Sequence, residues 1–209
     1  MKTKAIECEV YQFDSMDDIK HPVAQAAIKK HKENNNDYYY DHIYSDLIVA
    51  AKCLGIETSE DDICWSGFWS QGDGASFEGK WNIDNINDTV ECAKENFPKD
   101  KELLNIAKRM DNLICDTEVE YVSVKRMYHT RYCHSSTLGV YEYEAKDSDN
   151  SDYESLEQDA ERILEIFQDL SNWFYERLEK EYEYQSSDEA IMQVFIDNKY
   201  EFDKDGNIE

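Results

Sequence analysis

The sequence predicts an α+β fold: an antiparallel sheet built from hairpins and packed by helices, one of them long and C-terminal. Three observations carry this. The candidate strands come as hairpin-like neighbours. The candidate helices cluster without strict βαβ alternation, and an apolar seam runs for about six turns towards the C-terminal end. Of the 209 residues 41% are apolar and 13% aromatic, enough to build a core, so a wholly disordered acidic tail is excluded. No internal repeat and no Gly/Ser/Pro linker divides the chain. One α+β domain, 1–209, is expected, with an acidic helical part over 151–209.

Each element has its local reason. Ala5–Phe13 alternates Ile6, Cys8 and Val10 with Glu7, Glu9 and Tyr11, the period of a half-buried strand. Asp17–Lys32 reads as a helix that tolerates Pro22 only in its first turn. Asn34–Asp37 interrupts it and caps a second helix, Tyr38–Leu54, which Gly55 stops. Ile63–Trp69 and Ala75–Trp81 are expected as strands around Ser70–Gly74. Asp84–Phe97 and Lys99–Cys115 are expected as helices parted at Pro98. Val119–Tyr128 and Tyr132–Tyr143 supply two more strands, followed by a solvated loop over 147–152. Ser151–Tyr184 is the long helix, Ser187 caps a shorter one ending at Asn198, and Tyr200–Ile208 closes as a hairpin on Asp205-Gly206.

Charge bounds the partners. With 47 Asp+Glu against 22 Lys+Arg the net charge is −25. Residues 147–209 hold 20 acids against 5 bases, a net of −15 in under half the length. Such a chain is repelled by phosphate backbones and anionic membranes, so no direct nucleic-acid or membrane binding is expected. Basic surfaces are its natural partners. No run approaches 18 apolar residues, and the first residues lack the apolar core of a signal peptide. The six cysteines are scattered without a tight framework, which favours reduced thiols and a cytosolic location.

Motifs for chemistry are sparse. Gly72-Asp-Gly74 lacks the third glycine and following helix of a dinucleotide loop, and no Walker motif exists. Glu201–Glu209 places acids at positions 1, 3 and 5 and Gly206 at 6 of an EF-hand-like pattern. The bidentate Glu at 12 and an exit helix are missing from it, so a hairpin is expected and no calcium. His129 and Cys133 have no ligand-spaced companions. No metal, no cofactor, no catalytic residue and no enzyme activity are expected.

Two surfaces remain. Trp65, Gly67 and Trp69 share one face of the hairpin strand, giving either a rigid aromatic platform for a partner or core packing beneath the long helix. On that helix Leu156, Ala160, Ile163, Phe167, Leu170, Phe174 and Leu178 form a seam to be buried in this domain or against a second copy as a homodimer. Beside it runs Glu157, Glu161, Glu165 and Asp169, carboxylates about 6 Å apart along the axis that repel by a few tenths of a kcal/mol per pair. Either the face is simply solvated, or it imitates a nucleic-acid backbone. DNA carries one charge per ~1.7 Å of axis, so mimicry needs further acids such as Asp147, Asp149 and Asp152, or a dimer.

Trp65-Ser-Gly-Phe-Trp-Ser-Gln-Gly-Asp-Gly-Ala-Ser-Phe-Glu-Gly79 resembles a signature of small acidic proteins of bacteriophages and mobile elements, some loosely labelled antitoxin-like. Residues 178–190 and 200–206 are similar to that family too. The resemblance implies a phage protein in the host bacterial cytoplasm, and it carries over no catalytic residues. By analogy of charge and origin, the expected function is an anti-defence inhibitor, such as an anti-CRISPR DNA mimic. It would bind a basic nuclease or effector complex through the helix acids, the 147–152 acids, or Trp65 and Trp69. An antitoxin-like or structural module binding through the tryptophan hairpin is the alternative.

Overall fold

A computed structural model describes residues 9–34, 38–86, 88–127, 131–147 and 152–209. The fold is α+β with antiparallel sheets and a long C-terminal helix. The chain divides into two compact units, 40–179 and the joined segments 1–39 and 180–209.

In the larger unit, β2 (Ile56–Glu57), β5 (Gly79–Asn82), β6 (Val119–Arg126) and β7 (Leu138–Ala145) make a four-stranded antiparallel sheet in the order β2-β5-β6-β7. A separate hairpin joins β3 (Ile63–Ser66) to β4 (Gly74–Phe77), with Ile63 opposite Phe77 and Ser66 opposite Gly74. The single strand expected over Ala75–Trp81 is therefore two. At Glu78 the chain passes from the hairpin to the sheet, its carbonyl taken by the Thr58 hydroxyl at 2.8 Å. The first strand is also shorter than expected, because Gly67 and Trp69 take positive φ and leave the extended conformation. Leu138 opens the last strand in place of Tyr132, since Ser135–Thr137 turn as a 3-10 segment capped by His134.

Helices α2 (Asp41–Cys53), α3 (Thr89–Asn96), α4 (Lys101–Asp116) and most of α5 (Tyr153–Gln185) belong to this unit. Gly55, at φ 76, lies just beyond α2 where a side chain would be strained. Asp88 and Asp100 cap α3 and α4 by accepting from backbone N–H groups. All seven residues of the α5 seam are buried within the chain. They need no second copy to cover them. At the centre the Phe167 ring stacks on Phe77, centroids 5.3 Å apart. A Cβ on Gly79 would stand 3.1 Å from that ring and 2.8 Å from the Glu57 carbonyl, so only glycine permits the approach.

Four cysteines correct the expectation of unpaired thiols. Cys53 bonds Cys92 and Cys64 bonds Cys133, with Cα atoms 5.4 and 5.3 Å apart. The pairing was invisible because the partners lie 39 and 69 residues apart and meet only through the fold. Cys115 is free and exposed, and Cys8 lies outside the described residues.

The smaller unit pairs β1 (Tyr11–Gln12) with β8 (Glu201–Phe202) beside α1 (Pro22–Asn34) and α6 (Asp188–Asn198). Only two residues of the expected Ala5–Phe13 strand form one, residues 5–8 being outside the described set. The expected Asp17–Lys32 helix splits at Pro22 into a 3-10 turn and α1, with Pro22 as the first residue of α1. Of the expected cap at 34–37, only Asn34 is described. Ser187 caps α6 as expected, accepting from the Ala190 N–H at 3.1 Å. The core holds Phe13, Val23, Ala27, Ile191, Phe195 and Phe202. Asp203 accepts from the N–H groups of Asp205 and Asn207, closing the terminal turn.

Two outcomes are expected. Phe167→Ala removes a fully buried ring and should cost about 3–5 kcal/mol in urea unfolding. Reducing both bridges should lower stability by about 2–4 kcal/mol per bridge, given the long loops they close. Thermal melts with and without reductant check this, and identical melts would show that the thiols are not bonded.

Candidate functional site

Helix α5 buries one stripe and exposes the other. Glu157, Glu161 and Glu165 are exposed, and Asp169 is half-buried. These four acids do not act as one surface. Arg109 of α4 pairs with Asp169 and reaches Glu165 at 3.4 Å. Asp159, buried to 8% exposure, is met by Arg162 at 2.9 Å. Glu157 and Glu161 carry no ion pair among the described residues. The stripe thus splits into a neutralised half and a charged half.

The charged half faces β7. This strand ends the sheet, and its register with β6 jumps from Val140↔Val124 to Glu142↔Ser123, leaving Tyr141 as a bulge. Lys125 Nζ sits 3.6 Å from the centroid of the exposed Tyr141 ring. Tyr143 lies 6.1 Å, centroid to centroid, from Tyr153 at the start of α5. A hydrogen bond with Tyr153, then burial and the nearby Glu157, push the Tyr143 hydroxyl up to about 12, so it stays protonated. Between strand and helix lies a groove of about 490 Å³, lined among others by Tyr141, Glu142, Tyr143, Tyr153, Glu157 and Glu161. It offers carboxylates beside aromatic faces. That chemistry suits ammonium and guanidinium groups.

Of the remaining expected acids, Asp147 and Asp152 are exposed at the ends of the connection between β7 and α5. Asp149 lies outside the described residues. Sequence reasoning missed the tyrosines and Glu142. The alternation Tyr141-Glu-Tyr-Glu144 carried the signal, an aromatic face and an acidic face on one strand.

The tryptophans part company. Trp65 is half-buried, donates from Nε1 to the Tyr44 hydroxyl at 2.6 Å and meets Tyr40 edge-on at 5.1 Å. It is a packing residue. Trp69 is 77% exposed at φ 140, a conformation that costs of order 1–3 kcal/mol. Asp73 holds it there, accepting from the Trp69 N–H at 2.9 Å. The two rings do not form a shared platform.

Among the described residues, no three His, Cys, Asp or Glu stand together as a metal site. Cys133 is in a bridge, and His129 lies outside the described residues. No described helix is long and apolar enough to cross a membrane.

Residues 39–188 match a family model described as Domain of unknown function (DUF8835). That span holds the sheet, the tryptophan hairpin and the groove. No curated protein and no solved structure matches the chain.

Exposed ion pairs contribute about 0.2–1 kcal/mol, so Arg109 sets the charge of α5 more than its stability. Arg109→Gln should therefore change the unfolding free energy by no more than about 1 kcal/mol in urea titrations. A loss well beyond that would make Arg109 a structural tie between α4 and α5.

Proposed function

The chain belongs to the DUF8835 family, and we propose that it is an acidic inhibitor that binds a basic, nucleic-acid-handling bacterial protein by partial nucleic-acid mimicry. The observation that carries this reading is the groove. Glu157 and Glu161, one turn apart on α5, share it with Glu142 and three tyrosines. Lys or Arg side chains that grip phosphates elsewhere find carboxylates there. Long-range attraction from a net charge of −25 makes the encounter fast and salt-sensitive.

The resemblance of the 65–79 hairpin to phage and mobile-element proteins supports a phage origin and a place in the host bacterial cytoplasm. A defence nuclease or CRISPR effector is then the target class. Cytoplasmic disulfides are uncommon, so this location implies that the two bridges form after lysis or survive reduction. Thiol counting on rapidly quenched cells separates these cases.

Trp69 favours a second reading. An exposed indole held in a strained conformation suits an antitoxin-like or structural module that docks through the hairpin tip.

The test is affinity purification from a bacterial host with mass spectrometry of what co-elutes. A basic partner should be retained, weaken as salt rises from about 50 to 200 mM, and be lost by Glu157→Lys with Glu161→Lys. If that double reversal leaves binding intact while Trp69→Ala abolishes it in a folded protein, the hairpin reading replaces mimicry.

A further inference from the structure

Strand β7 ends the four-stranded sheet, and among the described residues nothing pairs with its outer edge. Free edges invite strand addition, and proteins commonly blunt them with charged side chains, Pro, β-bulges or short length. Here the edge strand is eight residues long, without Pro, and its one exposed backbone irregularity is the Tyr141 bulge. Its acids, Glu142 and Glu144, guard it only against partners of like charge.

The flank is built to match. Tyr153, Glu157, Glu161 and Leu164 line the groove from α5. The eleven steps from Tyr153 to Leu164 cover about 16 Å of helix axis, the length of about five extended residues. Tyr141 already takes an ammonium group, that of Lys125, on its ring at 3.6 Å. The groove therefore offers an incoming strand two kinds of contact: backbone groups along β7, and carboxylate or aromatic sites for alternate side chains.

We infer that β7 receives an extended basic segment of the partner as a fifth strand, with its Lys or Arg side chains in the groove between β7 and α5. This rests on the proposed acidic-inhibitor reading and specifies how the partner is held. A second copy of this chain is the poorer occupant, because two β7 edges would set Glu142 and Glu144 against like charges. Main-chain hydrogen bonds supply affinity in such additions, and alternate side chains supply selectivity.

The probe is a synthetic alternating Lys-Thr peptide, compared with its alternately N-methylated form, which lacks the pairing amide donors. Binding is measured by calorimetry and the β7 amides by hydrogen exchange in the full-length protein. The unmodified peptide should slow exchange at the outward-facing amides within Leu138–Ala145 that β6 leaves unpaired, and N-methylation should weaken binding by about tenfold or more. Glu157→Lys with Glu161→Lys should weaken it as well. If both peptides bind equally and the β7 amides stay unprotected, strand addition is overturned. Charge dependence persisting in that result leaves the inhibitor reading standing. If the peptide protects β7 regardless of the charge reversal, the strand is received but the acidic groove does not select it, and the inference fails in its basic-partner half. Absence of binding, or a dimer in sedimentation that buries β7, overturns the whole inference.

Discussion

The larger unit is organised around the place where an aromatic ring meets a backbone without a side chain. Phe167 of α5 stacks on Phe77 and closes over Gly79, whose hydrogen stands where any Cβ would collide with the Glu57 carbonyl. That contact lets a 33-residue helix lie close to the sheet. It fixes which helix face is inside, and hence which carboxylates are outside. With Phe167 seated, Ile163, Leu170 and Phe174 follow at helical spacing into full burial. The acidic stripe and the groove beside β7 are consequences of that rotation.

Energetics explain why a helix with repelling carboxylates persists. A fully buried Leu, Ile or Phe contributes roughly 1.5–3 kcal/mol, and the seam has seven buried positions. Like-charge pairs one turn apart cost only a few tenths each. The seam wins by a wide margin, so the outer face is free to carry charge of one sign. Arg109 then decides how that charge is distributed. It silences the half of the stripe near α4 and leaves the half near β7.

Periodicity made much of this legible. The α5 seam, the Ser187 cap and the stop at Gly55 all follow from local spacing and turn chemistry, as does a hairpin near residues 63–77, though its register, Ile63 opposite Phe77, does not. What stayed hidden depends on residues distant in sequence. Glu78 divides a strand because Thr58 takes its carbonyl, and no alternation pattern contains Thr58. Cys64 meets Cys133 across 69 residues. The site itself was half legible: the stripe is written in α5, but its division comes from Arg109 on another helix. The tyrosine rim comes from an edge whose bulge no residue type announces.

The smaller unit carries a consequence for the order in which the protein assembles. Its core joins Phe13 and Ala27 to Phe195 and Phe202, and β1 pairs with β8. On a ribosome these halves are separated by the time needed to translate about 170 residues. The contiguous stretch 40–179 can collapse as it emerges. Phe13 and Ile19 cover part of the apolar face of α1 from the start, but its covering from Ile191, Met192, Phe195 and Phe202 arrives only when residues 191–202 leave the exit tunnel. Completion of the smaller unit thus reports that translation has reached the end of α6. A chain cut short before that point presents Val23, Ala27 and Ile28 without their covering from α6 and β8.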